Sequence, residues 1–491
     1  MEIYKHYING DWVNPNSGES FDSTNPYTGE VWAKIARGDS ADIEKAVSAA
    51  KSAFDSGWSE TKATERGRLL YKLADLAERE AQRLAEIEVN DNGKLIAEMS
   101  AQTHYLPQWF RYYGGLADKV EGAVIPTDKP GIFNFTRYEP LGVCAAITAW
   151  NSPLMLLGWK VAVALAAGNT IVIKPSEFTS VSTLEFMNLF AEAGFPPGVV
   201  NTVTGFGDEA GSSLVSHPDV SKIAFTGSDT TGQKINEIAA KTFKRVTLEL
   251  GGKSPNIVFE DADLESAVMG AISGIFAATG QTCIAGSRLL LQRSIHDKFV
   301  ERLVEVAKTA RIGDPMSLDT HVGPVTTAPQ YQKVLDYLEV AKNEGAECVL
   351  GGNPYTGPGA TGGQFVEPTI FTGVNNQMRI AQEEVFGPLL AVIPFDTEED
   401  AVAIGNDVIF GLAAGVWTQD IGRAIRMSEK LKAGTVWVNT YRAVSFTSPF
   451  GGYKRSGIGK ESGVEAIKQY MQVKSVWIAQ QTTPANPFIM R

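Results

Sequence analysis

Val143-Cys144-Ala145-Ala146-Ile147-Thr148-Ala149 opens a run in which short apolar strands alternate with helical stretches. A helix through residues 159–165 leads to Thr170-Ile171-Val172-Ile173, and one through 184–193 leads to Val199-Val200-Asn201-Thr202-Val203. A helix near 209–215 precedes Lys222-Ile223-Ala224-Phe225, and another over 231–240 precedes Arg245-Val246-Thr247-Leu248. Short strands without a polar face are buried on both sides, and the helices between them supply the cover. The pattern predicts a parallel sheet of the α/β class. A second series of strand candidates follows at 256–258, 288–291, 389–394, 413–417 and 434–438. Two α/β lobes in one chain suggest two ligands meeting at a cleft. Segments 132–138 and 473–478 alternate with period two outside both series and suit a small extra sheet between subunits.

Upstream, Ile43, Ala46, Val47, Ala50 and Phe54 share one face of a helix over 40–56, and the stretch 66–90 predicts one further helix. No internal repeat is visible, and the glycine-rich 351–363 reads as a surface loop.

Composition narrows the class. At about 150 residues per domain, 491 residues make roughly three domains' worth of chain. Apolar residues at 44%, charged residues at 20% and a mean hydropathy of −0.08 exclude both a disordered chain and a membrane bundle. A net charge of −12 without a Lys/Arg cluster makes nucleic acid or an anionic membrane a poor partner. Three cysteines cannot form a disulfide framework, and five scattered histidines without an HExxH or CxxC pair suggest no metal site. The N-terminus shows no export signal. The most apolar window, 154–173, is broken by Lys160, Gly168 and Asn169, and reads as a buried helix, a turn and a strand. The expectation is a soluble, cytoplasmic protein.

Four motifs carry chemistry. Cys283 lies in Thr279-Gly280-Gln281-Thr282-Cys283-Ile284, a Gly- and Thr-rich loop after a helix, where a structural cysteine would sit within an apolar run; it reads as a nucleophile or as filler. Glu249, in Leu248-Glu249-Leu250-Gly251-Gly252-Lys253, ends an apolar strand at a diglycine turn, where α/β folds place ligands. Set between two leucines, its carboxyl should titrate high, as a general base near neutrality does; an exposed strand-end glutamate is the alternative. Phe225-Thr226-Gly227-Ser228-Asp229-Thr230-Thr231-Gly232 is a strand, a GxxxxG turn and a helix, able to approach a pyrophosphate or simply to turn tightly; Gln233 after Gly232 argues against a P-loop. Lys174-Pro175-Ser176-Glu177 ends another strand, and its ammonium and carboxylate could hold ribose hydroxyls or form a surface ion pair.

Together with Trp150-Asn151-Ser152-Pro153, Glu383-Glu384-Val385-Phe386-Gly387-Pro388 and Pro449-Phe450-Gly451-Gly452-Tyr453-Lys454, these motifs stand in the order of the NAD(P)-dependent aldehyde dehydrogenase superfamily. The chain resembles its hydrolytic branch, which does not acylate coenzyme A, from about residue 7 to residue 477. The resemblance implies two Rossmann-like open-sheet lobes plus a small oligomerisation β-sheet, in a homodimer or homotetramer. Residues 1–118 and 140–251 would bind the dinucleotide, 252–449 would be catalytic, and 119–139 with 450–491 would bridge subunits.

The resemblance also implies roles. Cys283 would attack the aldehyde, Asn151 and the Cys283 N–H would form the oxyanion hole, and Glu249 would activate the hydrolytic water. Lys174, Glu177 and Glu384 would hold ribose hydroxyls. Trp150 and Phe386 would pack near the nicotinamide, and Gly227, Ser228 and Gly232 near the pyrophosphate, with Ser176, Gly207 and Leu250 completing the cofactor site. NAD is expected over NADP, because Glu177 repels a 2′-phosphate. Ser152, Trp159, Arg442, Val444 and Phe450 would line the substrate tunnel. Ser152 replaces a large aromatic of many relatives, and Arg442 is an unusual cation at the rim, able to pair with a substrate carboxylate or to make a solvated or intersubunit ion pair. The expected substrate is a bulky, aromatic or carboxylate-bearing aldehyde. A non-redox thiol acyltransferase or esterase is disfavoured by Lys174, Glu177 and Glu384, and a silent binding protein by Cys283, Glu249 and Asn151.

Overall fold

Val143–Ile147 lies near the middle of an eight-stranded sheet in the computed structural model, which describes residues 3–480 and 486–489. The order is Gly457–Ile458, Arg245–Glu249, Val220–Thr226, Val143–Ile147, Thr170–Lys174, Val200–Thr202, His6–Ile8 and Asp11–Val13. The five central strands run parallel, as their unbroken apolar faces require, and the outer ones are antiparallel. Register sets the functional edge: Ile147 pairs with Lys174 and Phe225, and Thr226 with Glu249. Four strands therefore end side by side, and the turns after them open on one rim.

The second sheet has seven strands in the order Glu347–Leu350, Thr369–Thr372, Leu389–Phe395, Arg288–Gln292, Pro255–Val258, Ala413–Trp417 and Thr435–Val438, parallel except for the first. Leu264–Phe276 and His296–Ala307 cover one face through Val268, Ile275, Phe299 and Leu303. Ala328–Asn343, Glu398–Asn406 and Ile421–Lys430 cover the other through Val334, Leu338, Ala401 and Met427.

Ile132–Pro140 and Met471–Ala479 pair antiparallel along their whole length, with Val124–Ile125 as third strand. Phe133, Val473, Trp477 and Ile478 on this sheet are exposed. Among the described residues no helix is long and apolar enough to cross a membrane.

The stretch 66–90 forms two helices where one was expected, Ala63–Arg79 and Ala81–Asn92. The break at Glu80 re-aims the chain between two cores: Leu73 and Ala77 face Trp109 and Phe110, whereas Ala85 and Val89 face Ile96 and Met99. The N-terminal strands Ile3–Tyr4, His6–Ile8 and Asp11–Val13 were not anticipated, because runs of two or three residues carry too little periodicity to register; Ser20–Thr24 and Val31–Ala36 were missed as well.

Candidate active site

Cys283 follows the helix Leu264–Phe276 through a loop in which Ala278, Thr279 and Gly280 all have positive φ, at 54°, 55° and 71°. A left-handed β-branched residue costs on the order of 1–3 kcal/mol and persists only where its surroundings hold it. Here Ala278 N donates to Glu98 Oε1 at 2.7 Å and Thr279 Oγ1 to the Gly323 carbonyl at 3.1 Å. The Gln281 side chain reaches the Pro324 carbonyl and accepts from Thr326 N at 2.9 Å. Gly280 has to be glycine, since a Cβ there would lie 2.0 Å from the Gly387 carbonyl oxygen. That contact presses the Cys283 loop against Glu384-Val385-Phe386-Gly387. Burial pushes the Cys283 thiol up to about 12, with Glu384 and Glu249 adding negative potential, so the resting side chain is a protonated thiol.

Glu249 ends the strand Arg245–Glu249, and the turn after it packs under the loop: a Cβ on Gly252 would sit 2.6 Å from the Cys283 carbonyl oxygen. The Glu249 carboxyl is buried, and among the described residues neither of its oxygens accepts a hydrogen bond. Burial first and Glu461 second hold it well above the usual carboxylate range, against the pull of Lys160 and Lys460. The carboxyl points towards Gly451, whose carbonyl takes the Lys460 ammonium. Beyond lies a buried pair, Lys160 Nζ at 2.5 Å from Glu461 Oε1, with Thr226 Oγ1 at 2.6 Å on the same ammonium. Among the described residues Glu461 Oε2 is also without a partner, and Glu249, Glu461, Lys160 and Lys460 form one polar cluster. Asn151, at the rim after Val143–Ile147, donates Nδ2 to the Gln281 carbonyl at 3.1 Å, which sets its amide beside the Cys283 loop.

The same rim carries the cofactor candidates. Lys174 is buried and donates to Glu177 Oε2 at 3.2 Å; burial lowers its pKa against the pull of Glu177 and Asp208. Glu384 accepts the Gly252 N–H at 2.9 Å, and burial lifts its carboxyl to about 7. The Trp150 ring meets Phe386 edge-on at 5.3 Å. Ser176 accepts from Phe178 N and bonds back from Ser180 Oγ, fixing the turn after Lys174. Ser228 caps the helix Asp229–Ala240 by accepting the Thr231 N–H. A Cβ on Gly207 would meet open space. The Gly227 N–H is committed to the Glu249 carbonyl at 3.1 Å, so that residue offers room, not a free donor, and Gly232 presses on the Leu250 side chain. A ribose finds carboxylate acceptors at Glu384 and the half-buried Glu177, and a pyrophosphate finds a capped helix N-terminus flanked by glycines. The residues suit a dinucleotide.

On the other side of Cys283 stands an aromatic wall. Trp159 stacks on Trp109 at 5.6 Å and meets Phe450 edge-on at 5.0 Å, and its buried Nε1 has no partner. Phe446 packs against Tyr105, Trp109 and Tyr112. Tyr441 OH donates to the Ile284 carbonyl at 3.1 Å and ties the loop 439–446 to the residue after the thiol. Arg442, at φ 65°, donates to the Ser273 carbonyl at 3.0 Å, and Val444 is exposed. Ser152 Oγ accepts from the Lys94 ammonium at 3.2 Å.

The sequence profile of the aldehyde dehydrogenase family matches residues 12–476. The chain belongs to that family. It is 46% identical over 495 residues, the whole of both chains, to (Z)-2-((N-methylformamido)methylene)-5-hydroxybutyrolactone dehydrogenase of Acinetobacter baylyi. It is 47% identical over 484 residues to human aldehyde dehydrogenase 1A1, covering 97% of this chain and 95% of that one. A crystal structure of betaine aldehyde dehydrogenase from Staphylococcus aureus in complex with NAD+ is similar at 40% identity and a TM-score of 0.98, over 99% of this chain and 97% of that one. The protein is an NAD-dependent aldehyde dehydrogenase that oxidises an aldehyde to the carboxylic acid.

Within the aldehyde dehydrogenase fold, the structure brings Cys283, Glu249, Asn151, Trp150, Glu384 and Phe386 together from four separate stretches of chain. Sequence reasoning missed Lys160, Glu461, Lys460 and Lys94. Lys160 had a signal: a lysine inside the most apolar window of the chain is buried, and a buried ammonium needs a partner. Glu461 and Lys94 sit in polar, glycine-containing stretches that look like any surface loop.

Proposed function

We propose that Cys283 is the nucleophile, Asn151 and the Cys283 N–H the oxyanion hole, and Glu249 the base of a hydrolytic aldehyde oxidation. The observation that carries this is Glu249: a buried carboxyl with both oxygens bare, on a turn packed beneath Cys283. Cys283 Sγ bonds to the aldehyde carbon as its proton leaves, and the carbonyl oxygen, as oxyanion, takes hydrogen bonds from Asn151 Nδ2 and the Cys283 N–H. NAD, when bound, accepts the hydride lost from that thiohemiacetal carbon and brings a cationic ring beside the thiol. The carbon left on Sγ is a thioester. Glu249 then takes a proton from water, whose oxygen attacks the thioester, and the C–S bond breaks to release the acid. Glu461, Lys160 and Lys460 lie where a proton on Glu249 could be passed on.

Lys174, Glu177 and Glu384 hold ribose hydroxyls in this reading, Trp150 and Phe386 flank the nicotinamide, and Ser176, Gly207, Gly227, Ser228, Gly232 and Leu250 shape the remaining cofactor surface. Glu177, with Lys174 beside it, makes NAD preferred over NADP. The cofactor lobe is 1–118 with 140–251, the catalytic lobe 252–449, and the bridging segments 119–139 and 450–491. The exposed apolar residues on the sheet of Ile132–Pro140 and Met471–Ala479 support a homodimer or homotetramer joined there. Three free cysteines and an acidic chain support a cytoplasmic location. Ser152, Trp159, Arg442, Val444 and Phe450 form a tunnel wide enough for a bulky or aromatic aldehyde, and Arg442 at its rim suits one carrying a carboxylate.

The test is Cys283→Ala. Aldehyde-dependent NADH formation should vanish while NAD binding, followed by quenching of tryptophan fluorescence, stays within about threefold. Loss of NAD affinity as severe as loss of turnover would make Cys283 structural.

A further inference from the structure

Lys94 follows the helix Ala81–Asn92 on a tight turn, with Gly93 at φ 72° and the Asn92 carboxamide accepting the Lys94 N–H at 2.8 Å. The turn is bolted to the catalytic loop. Thr326 Oγ1 donates to the Asn92 carbonyl at 2.6 Å, and Thr326 N donates to Gln281 Oε1, two residues before Cys283. Gly93 is wedged between Pro26 and Pro324, where a Cβ would lie 2.8 Å from the Pro324 ring. The backbone of the turn that carries Lys94 is therefore held by both lobes.

Lys94 is 3% exposed, and among the described residues its ammonium makes a single hydrogen bond, to Ser152 Oγ. Among the described residues no carboxylate lies within 4 Å of it. An ammonium buried with one neutral partner is poorly compensated, because two of its three protons lack acceptors. Burial pushes it down to about 8, Glu98 pulls it up, Arg442 pushes it further down, and Glu88 and Cys283 pull it up again. Its electrostatic neighbours include the nucleophile Cys283 and the rim arginine Arg442. Glu98 Oε1 is occupied by the Ala278 N–H, and Glu88 Oε1 by the Leu154 N–H at 2.8 Å; among the described residues their Oε2 atoms are buried without a partner, and neither carboxylate forms an ion pair with Lys94. Among the described residues Ser152, next to Asn151 in the chain, is the one side chain that hydrogen-bonds the ammonium, and it is small. Among the described residues the buried indole N–H of Trp159 lacks an acceptor as well.

We propose that Lys94, reached past Ser152, is the specificity residue of the tunnel and binds an anionic group of the aldehyde substrate, with Arg442 as an outer second cation. This rests on the hydrolytic aldehyde oxidation proposed above and names the substrate class it serves: aldehydes bearing a carboxylate. A cationic aldehyde such as betaine aldehyde meets two like charges on the same approach and is disfavoured.

The experiment measures kcat/KM for 3- and 4-formylbenzoate, their methyl esters and betaine aldehyde, in wild type, Lys94→Met, Lys94→Arg and Arg442→Ala. The wild type should prefer the better formylbenzoate to its ester by tenfold or more, and oxidise betaine aldehyde worst. Lys94→Met should lower the acid-to-ester ratio about 10–100-fold, through KM of the acid, as loss of a charged hydrogen bond does. Lys94→Arg should restore most of the ratio, and Arg442→Ala should lower it by less than Lys94→Met. A Lys94→Met enzyme that loses both substrates equally, with no rescue by arginine, would make Lys94 structural and overturn the proposal. So would a wild type with no preference for the acid. Lys94→Gln serves the same comparison if the methionine variant does not fold. A wild type that oxidises the ester without discrimination refutes only the role of Lys94; one that oxidises none of the aldehydes refutes the underlying chemistry too.

Discussion

Replacing Glu249 by glutamine separates the two halves of the reaction. Neither Glu249 oxygen accepts a hydrogen bond, so the amide forfeits none, and the fold should survive. The substitution removes a buried ionisable group and leaves volume and shape. A positioned general base contributes about 10²–10⁴-fold, or about 3–5 kcal/mol of barrier, so steady-state turnover should fall by that factor. Thioester formation does not need the hydrolytic base, so mixing enzyme with NAD and a good aldehyde should still release about one NADH per active site before the slow phase. The pH profile adds a second signature. Glu249 works ionised, and burial with Glu461 nearby raises its pKa, so wild-type kcat should fall as pH drops through a value well above 4.5. That acid limb should be absent from Glu249→Gln. Stopped-flow absorbance at the NADH band, followed by steady-state rates from pH 5 to 9, covers both. Turnover within threefold of wild type would refute the assignment. Loss of the burst together with turnover would show that Glu249 acts before the thioester forms, as the base for the Cys283 thiol. Turnover that requires coenzyme A would refute hydrolysis itself.

Glu177→Gln should move the NAD-to-NADP ratio of kcat/KM towards NADP by about tenfold, since a carboxylate that repels the 2′-phosphate becomes a neutral amide; an unchanged ratio would remove Glu177 from the ribose. Glu88 is fully buried, and burial lifts its carboxyl to about 7. The native state therefore keeps a proton that the unfolded chain has lost, and stability falls by about 3 kcal/mol as pH rises from about 4.5 to about 7, then levels off. Glu88→Gln should show a smaller drop in melting temperature between pH 5 and pH 8 than wild type; equal drops would mean the site is better solvated than its burial indicates.

The alternation of apolar strands and helices was legible from the sequence because each element is specified by residues a few positions apart. Strand ends were legible for the same reason, and with them Glu249, Lys174 and the turn after Phe225. Cys283 stood out because its loop breaks an apolar pattern where filler would have continued it. The helix break at Glu80 was not legible, since both halves keep a helical pattern and only the change of partner core separates them.

Tertiary structure decided which polar groups share a space. Lys160 and Glu461 are 301 residues apart in sequence and 2.5 Å apart in the fold, joined by the packing of the helix Pro153–Ala166 against the loop that carries Glu461. The sheet edge spends the Gly227 N–H on Glu249, which leaves that glycine as space, and the Ser273 carbonyl anchors Arg442 at the rim. The Lys94 turn, unremarkable as a sequence, is carried to the nucleophile by Thr326 and Gln281 of the other lobe. Local periodicity is written in neighbouring residues, so the sequence alone determined the strands, the helices and the ends where chemistry could sit. Burial of charge, the direction of a carboxyl and the partner of an ammonium depend on what long-range packing brings within a few ångströms, and only the folded chain decided those.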